Sequence, residues 1–174
     1  MSTLSNETII SLNQQIKIES QASSNYLAAA AWCNSKGYDN SADFFFKQAD
    51  EERAHMLKIF HYLCDMGATP TIPALEQARD SYESLRDVFE MALNAEEMVS
   101  EAINNIVNTC RKQNDHRTEN FMQWFVNEQI EEEFITRRAV ELFDLMGDDK
   151  LAIFMIDERI PKITYNAINT GGGE

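Results

Sequence analysis

Turn-forming residues are scarce in this chain, with six glycines and three prolines among 174 residues. A strand-rich sandwich needs a turn about every 8–12 residues, so the shortage excludes that class and points to long helices. Basic residues are also few: 15 against 29 acids, a formal net charge of −14. Nucleic acid and anionic membrane are therefore excluded as partners, because both are polyanions. No apolar run approaches the roughly 20 residues of a membrane-spanning helix. Met1–Asn6 has no basic region followed by an apolar segment, so a soluble chain in the cytoplasm is expected. Cys33, Cys64 and Cys110 are odd in number and widely spaced, unlike a disulfide framework or a CxxC metal knuckle. All three are expected as buried, reduced thiols. What the chain does have is 44% hydrophobic residues with ten phenylalanines, enough for one core and too much for disorder.

Four long segments carry helical periodicity. The first begins near Ser5, an N-cap residue, and stops at Ser35-Lys36-Gly37; the second runs from Asn40-Ser41 to Met66-Gly67. A connection holding Pro70 and Pro73 leads to a third helix over Leu85–Lys112, and Asn114-Asp115 breaks it. The fourth covers Thr118–Met146 and ends at Gly147, followed by a shorter amphipathic segment over Lys150–Ile168. One domain is expected over residues 1–169, with 170–174, ending in three glycines and a glutamate, as a flexible tail. The short connections make hairpins of helices one and two and of helices three and four, and the longer one can cross the bundle. The expected fold is all-α: an up-down-down-up four-helix bundle with a long crossover and a short fifth helix.

Each helix's core-facing seam is interrupted by polar residues. Ile9, Leu12, Ile16, Glu19, Ser23, Tyr26, Ala30 and Cys33 alternate spacings of 3 and 4, with Glu19 mid-seam. The second seam carries Glu52 and His55 between Phe45-Gln48 and Ile59-Tyr62-Met66. In the third, Glu96 stands between Ala92 and Val99. Gln129 and Glu132 stand between Phe125 and Thr136 in the fourth. Glu19 and Glu52 are 33 residues apart, as are Glu96 and Gln129, so Glu52-x-x-His55 corresponds to Gln129-x-x-Glu132. At about 1.5 Å rise per residue, antiparallel partners bring these residues level at mid-bundle. Burying several carboxylates together costs many kcal/mol or forces protonation. No Lys or Arg lies nearby in those seams, so the cations must come from outside. One imidazole beside hard oxygen donors suits Fe, Mn or Zn better than Mg or Ca.

At these residues the sequence resembles the non-haem bacterial ferritins, from about Leu4 to Asn169. The resemblance is carried by Leu12-Asn13-Gln14-Gln15-Ile16, Ala31-Trp32-Cys33, Glu51-Glu52-Arg53-Ala54-His55-Met56, Asn120 through Gln129, and Glu131-Glu132-Glu133. It implies a first iron on Glu19, Glu52 and His55. Glu52 would bridge to a second iron on Glu96 and Gln129, with Glu132 close by. A third, outer iron would fall on Glu51, Glu128, Glu131 and Glu132. A tyrosine at the position of Tyr26 sits beside the iron pair in the family and can supply an electron. Trp32 and Trp124 are read as packing residues.

The resemblance further implies a ferroxidase that passes electrons from Fe(II) to O2 or H2O2 and stores a ferric oxyhydroxide mineral. The container would be a homo-oligomeric shell of 24 subunits, with the fifth helix lining the four-fold axes. Leu151, Ile153, Phe154 and Ile156 independently favour assembly, being too apolar to stand alone. Haem is not expected. Haem-containing bacterioferritins place a methionine after the bridging glutamate and carry a second Glu-x-x-His, where this chain has Arg53 and Gln129-x-x-Glu132. A di-iron oxygenase or peroxidase of the same superfamily is the other alternative.

Overall fold

Helix ends are set by local chemistry in the computed structural model, which describes residues 3–167. The Ser5 side chain caps α1 (Asn6–Lys36) by accepting from Thr8 N, and Ser84 caps α3 (Leu85–Gln113) by accepting from Asp87 N. Asp115 caps α4 (His116–Met146), and Asp149 caps the short α5 (Lys150–Arg159). α1 stops at Gly37, whose φ of 79° lets Tyr38 N reach back to Cys33 O. α3 stops in the same way at Asn114, with φ 56° and Asp115 N bonded to Cys110 O. Gly37 and Asn114 are 77 residues apart, as are Glu19 and Glu96, and Glu52 and Gln129. The two hairpins thus repeat one design, turn included.

α1 pairs with α2 (Asp39–Asp65), α3 pairs with α4, and α1 packs on α3, giving the expected up-down-down-up bundle. Residues 66–84 climb the outside of α1, which supplies partners to Thr71 and Glu76. Asn13 Oδ1 accepts from Thr71 N at 2.8 Å, Gln21 Oε1 accepts from Glu76 N at 2.8 Å, and Tyr82 packs edge-on against Trp32. Those side chains satisfy main-chain donors that the extended segment, lacking a helix or sheet ladder, cannot pair internally. Pro70 and Pro73 sit here and break no helix.

The fifth helix is shorter than the periodicity predicts. α5 ends at Arg159 and passes into a 3-10 turn at Ile160–Lys162, and residues 163–167 have no regular structure. Pro161 is the cause, since its ring and missing N–H end an α-helix. Ile168 and the expected tail at 170–174 lie outside the described residues. Cys33 and Cys110 are buried as expected, whereas Cys64 is exposed. Its position on α2 faces away from the bundle.

Two apolar clusters fill the bundle. One, around Tyr26, Phe45, Phe89, Phe143 and Ile156, joins the α5 end; the other, around Leu12, Ile16, Ile59, Ile103 and Phe125, fills the opposite end. A polar layer separates them.

α2 has no side-chain cap of its own, and α5 supplies one. Asp157, on α5, accepts from Ser41 N at 2.8 Å, Ser41 Oγ at 2.6 Å and Asn40 Nδ2 at 3.1 Å. A buried carboxylate thereby satisfies first-turn donors of a helix more than 100 residues away in sequence. Replacing Asp157 with Ala leaves the buried Ser41 donors unpaired. We expect a loss of about 2 kcal/mol in denaturant unfolding, against a near-neutral effect for the exposed neighbour Glu158→Ala.

Candidate metal centre

The polar layer lies at mid-bundle, where each long helix contributes. Glu19, Glu52, His55, Glu96, Gln129 and Glu132 are all buried. Antiparallel pairing brings Glu19 level with the Glu52–His55 turn, so His55 Nδ1 lies 3.4 Å from Glu52 Oε2 and 4.0 Å from Glu19 Oε2. Ligand atoms of Glu19, Glu52 and His55 fall within 4.8 Å of one another, a spacing that could hold a metal ion. On the other hairpin, Glu96 accepts from the Tyr26 hydroxyl and from Gln129 Nε2 at 3.1 Å. Gln129 also donates to the Glu96 carbonyl at 3.2 Å and lies 3.3 Å from Ser100 Oγ.

Among the described residues, no Lys or Arg is buried. The carboxylates are consequently under-satisfied: Glu19 Oε2, both oxygens of Glu52 and Glu132 Oε2 are buried without a hydrogen-bond partner. Burial pushes the Glu19 carboxyl well above its ordinary range, and Glu52 adds to it. Burial raises Glu52 in the same way, helped by Glu96. The Glu132 carboxyl is pushed up to about 9, chiefly by burial and then by Glu96 and Glu51. Burial and the charges of Glu96 and Glu52 also raise Tyr26, keeping its hydroxyl protonated as a donor. Oxygen donors that lack partners, joined by one imidazole, fit a cation of the Fe, Mn or Zn type.

The sequence-predicted outer residues open onto a cavity of about 390 Å³ beside this layer, lined by Glu51, Glu128, Glu131 and Glu132 together with Asp43 and Gln48. The structure adds a grouping that the heptad reading does not foresee. His55 comes within 4.8 Å of ligand atoms on Glu128 and Glu132, so one imidazole stands between the inner trio and the outer acids. Glu51 and Glu131 line the cavity without joining that trio.

Three contributors escape the sequence reading. Gln15 is buried and donates to Glu19 Oε1 at 2.9 Å; its place one turn before Glu19 is the signal that could have found it. Gln48, on the second seam, donates to Glu51 Oε2 at 2.6 Å. Trp124 is not a core packing residue: it is 38% exposed and sets its ring edge-on to His55 at 5.3 Å, with Lys58 Nζ 4.2 Å above it. Trp32 does pack as expected, half-buried against the apolar cluster at the α5 end.

A four-helix bundle with a buried carboxylate and histidine layer that could hold a metal is the class that fold and site define. The profile of the ferritin-like domain matches residues 9–146. The chain belongs to the ferritin family. It is 33% identical over 164 residues to a Haemophilus influenzae protein named as a probable bacterial non-haem ferritin-like protein, covering 94% of this chain and 99% of that one. With the bacterial non-haem ferritin of Staphylococcus aureus it shares 31% identity over 163 residues, 94% of this chain and 98% of that protein. Among solved structures it is similar to an open pore ferritin from the hyperthermophilic archaeon Archaeoglobus fulgidus. There the TM-score is 0.88 at 30% identity, over 92% of this chain and 98% of the other. A humanized archaeal ferritin gives the same TM-score of 0.88 at 28% identity, over 95% of this chain and 100% of the other.

The raised carboxylates make stability pH-dependent. Folded Glu132 keeps its proton to about 9, against an ordinary value of 4.5. Between those values the folded chain holds the extra proton, so this contribution is full below the lower value and is lost as pH rises through the upper one. The thermal midpoint of the metal-stripped chain is expected to fall between about pH 5 and pH 8, with a shallower slope in Glu132→Gln. A midpoint that rises across this window contradicts the burial assigned to these groups.

Proposed function

We propose that this chain is a ferroxidase that stores iron. The observation that carries the reading is the set of partnerless oxygens on Glu19, Glu52 and Glu132, buried at one depth beside His55. Fe(II) is the substrate. Glu19, Glu52 and His55 bind one Fe(II). Glu52 is shared with a second, held by Glu96 and Gln129 with Glu132 beside it. Gln129 contributes a neutral amide where a carboxylate would add charge, so the second position binds more weakly.

Two Fe(II) ions give up one electron each. O2 takes both with two protons and leaves as H2O2, and H2O2 can serve as the oxidant in its turn. Protonated Glu132 and the Tyr26 hydroxyl are the groups at hand to hold or hand over protons at the layer's edge. Tyr26, bonded to Glu96, is also placed to supply a single electron. Fe(III) then leaves through the acidic cavity, where Glu51, Glu128, Glu131 and Glu132 form the outer iron position.

Storage requires a container, and we assign it to a shell of 24 copies of this chain, in the cytoplasm. Support comes from α5 and the end of α4. Ile156 is buried, but Leu151 is 68%, Phe154 63% and Leu145 81% exposed, an apolar edge that a neighbouring subunit would cover. Name-level support comes from the ferritins to which the chain is similar.

Stopped addition of Fe(II) in air should produce near-ultraviolet absorbance of Fe(III) in proportion to added iron, well beyond two ions per chain. Glu52→Ala or His55→Ala should slow the initial rate by at least about tenfold. Unchanged rates in both variants would refute the assignment.

A further inference from the structure

Where α5 passes into the 3-10 turn, a second cavity has the opposite charge to the first. It encloses about 240 Å³ against the side of α4 and is lined by Arg138, Arg159, Lys162 and Thr164, with Leu142 and Ile163 as apolar walls. No carboxylate lines it, in a chain where acids outnumber bases 29 to 15. Arg138 pairs with Glu141, one turn along α4, which orients the guanidinium and leaves most of its five N–H groups free. Among the described residues, Arg159 and Lys162 have no carboxylate within ion-pair distance. The segment carrying Lys162 and Thr164 is pinned by Tyr165, whose ring packs on Phe134 of α4 at 5.4 Å. Two guanidiniums, an ammonium and a hydroxyl around one concavity make a donor-rich set with no carboxylate among the lining residues. Planar guanidinium forks match tetrahedral oxyanions in particular.

We propose that this pocket is a binding site for a multivalent tetrahedral oxyanion of the phosphate class. A volume of about 240 Å³ accommodates the free anion itself. Ile163 lines both this pocket and the acidic cavity, so an anion bound here sits one side chain from the acidic outer position. The inference stands on the pocket alone and does not depend on the ferroxidase reading.

The test uses the full-length chain stripped of metal and held in a chelator, so that carboxylate-bound metal captures no phosphate. Calorimetric titration with inorganic phosphate in about 0.15 M chloride, where diffuse surface attraction is largely screened, should saturate at a single site per chain. Sulfate should compete. The double variant Arg159→Ala/Lys162→Ala should weaken phosphate by at least about tenfold while keeping its helical circular dichroism, because both side chains are exposed. A nucleoside monophosphate should bind more weakly than the free anion. Equal or tighter binding of the nucleotide, lost in the same variant, would keep the pocket and move its ligand to a phosphorylated small molecule. Absence of saturable phosphate binding, or equal affinity in the double variant, overturns the site.

Discussion

Carboxylates buried across the middle of the core are the constraint on which the rest of this structure depends. Glu19, Glu52, Glu96 and Glu132 share that layer with one imidazole and no buried Lys or Arg among the described residues. Such a layer opposes folding, because desolvated like charges either protonate or repel. The bundle tolerates it because the layer is sandwiched between two apolar clusters, each drawing on all four long helices. Helices of 27 to 31 residues supply that apolar surface on both sides. The acids sit on rigid, packed elements and cannot move away from one another, and the partnerless oxygens of Glu19, Glu52 and Glu132 follow from this.

Charge is sorted by depth and by face. The net −14 of the chain combines a small buried set that works against the hydrophobic pattern with a larger set on solvated faces. Glu51, Glu128 and Glu131 lie between the two, at the wall of a cavity that begins where the buried layer ends. Ile160 and Pro161 of the 3-10 turn and Ile163 after it form part of that wall, and Arg159 and Lys162 line the neighbouring basic pocket. Asp157 holds this region down by capping α2, so the position of α5 is tied to the start of the helix that carries Glu52 and His55.

Much of this was legible in the sequence. The interruptions at Glu19 and Glu52 and at Glu96 and Gln129, 33 residues apart in each hairpin, place the layer because helical rise converts residue number into depth. Ser5, Gly37, Asn114 and Gly147 mark helix ends because their chemistry is local. What escaped was tertiary. The Asp157 cap joins residues 116 apart in the chain, and no periodic pattern reports such a pair. Trp124, between the seam positions Met122 and Phe125, looks like any buried aromatic of an apolar stretch, yet it is partly exposed and covers His55. Cys64 sits among apolar neighbours in sequence but on the exposed face of α2. The fifth helix is shorter than its pattern because the apolar period continues past Pro161, and there proline's backbone outweighs the pattern.

The acidic layer is a cost to the fold which a bound cation removes. Glu52→Leu is the informative variant, because neither Glu52 oxygen has a hydrogen-bond partner, leucine fills a similar volume, and the 3.4 Å contact with His55 Nδ1 is lost with the charge. Thermal midpoints of wild type and variant, each stripped of metal and then loaded with redox-inert Zn(II), give the comparison. The stripped variant should melt above stripped wild type, and Zn(II) should raise the wild-type midpoint but not the variant's. A stripped variant that melts below wild type, or one that keeps the full Zn(II)-induced rise, would contradict it.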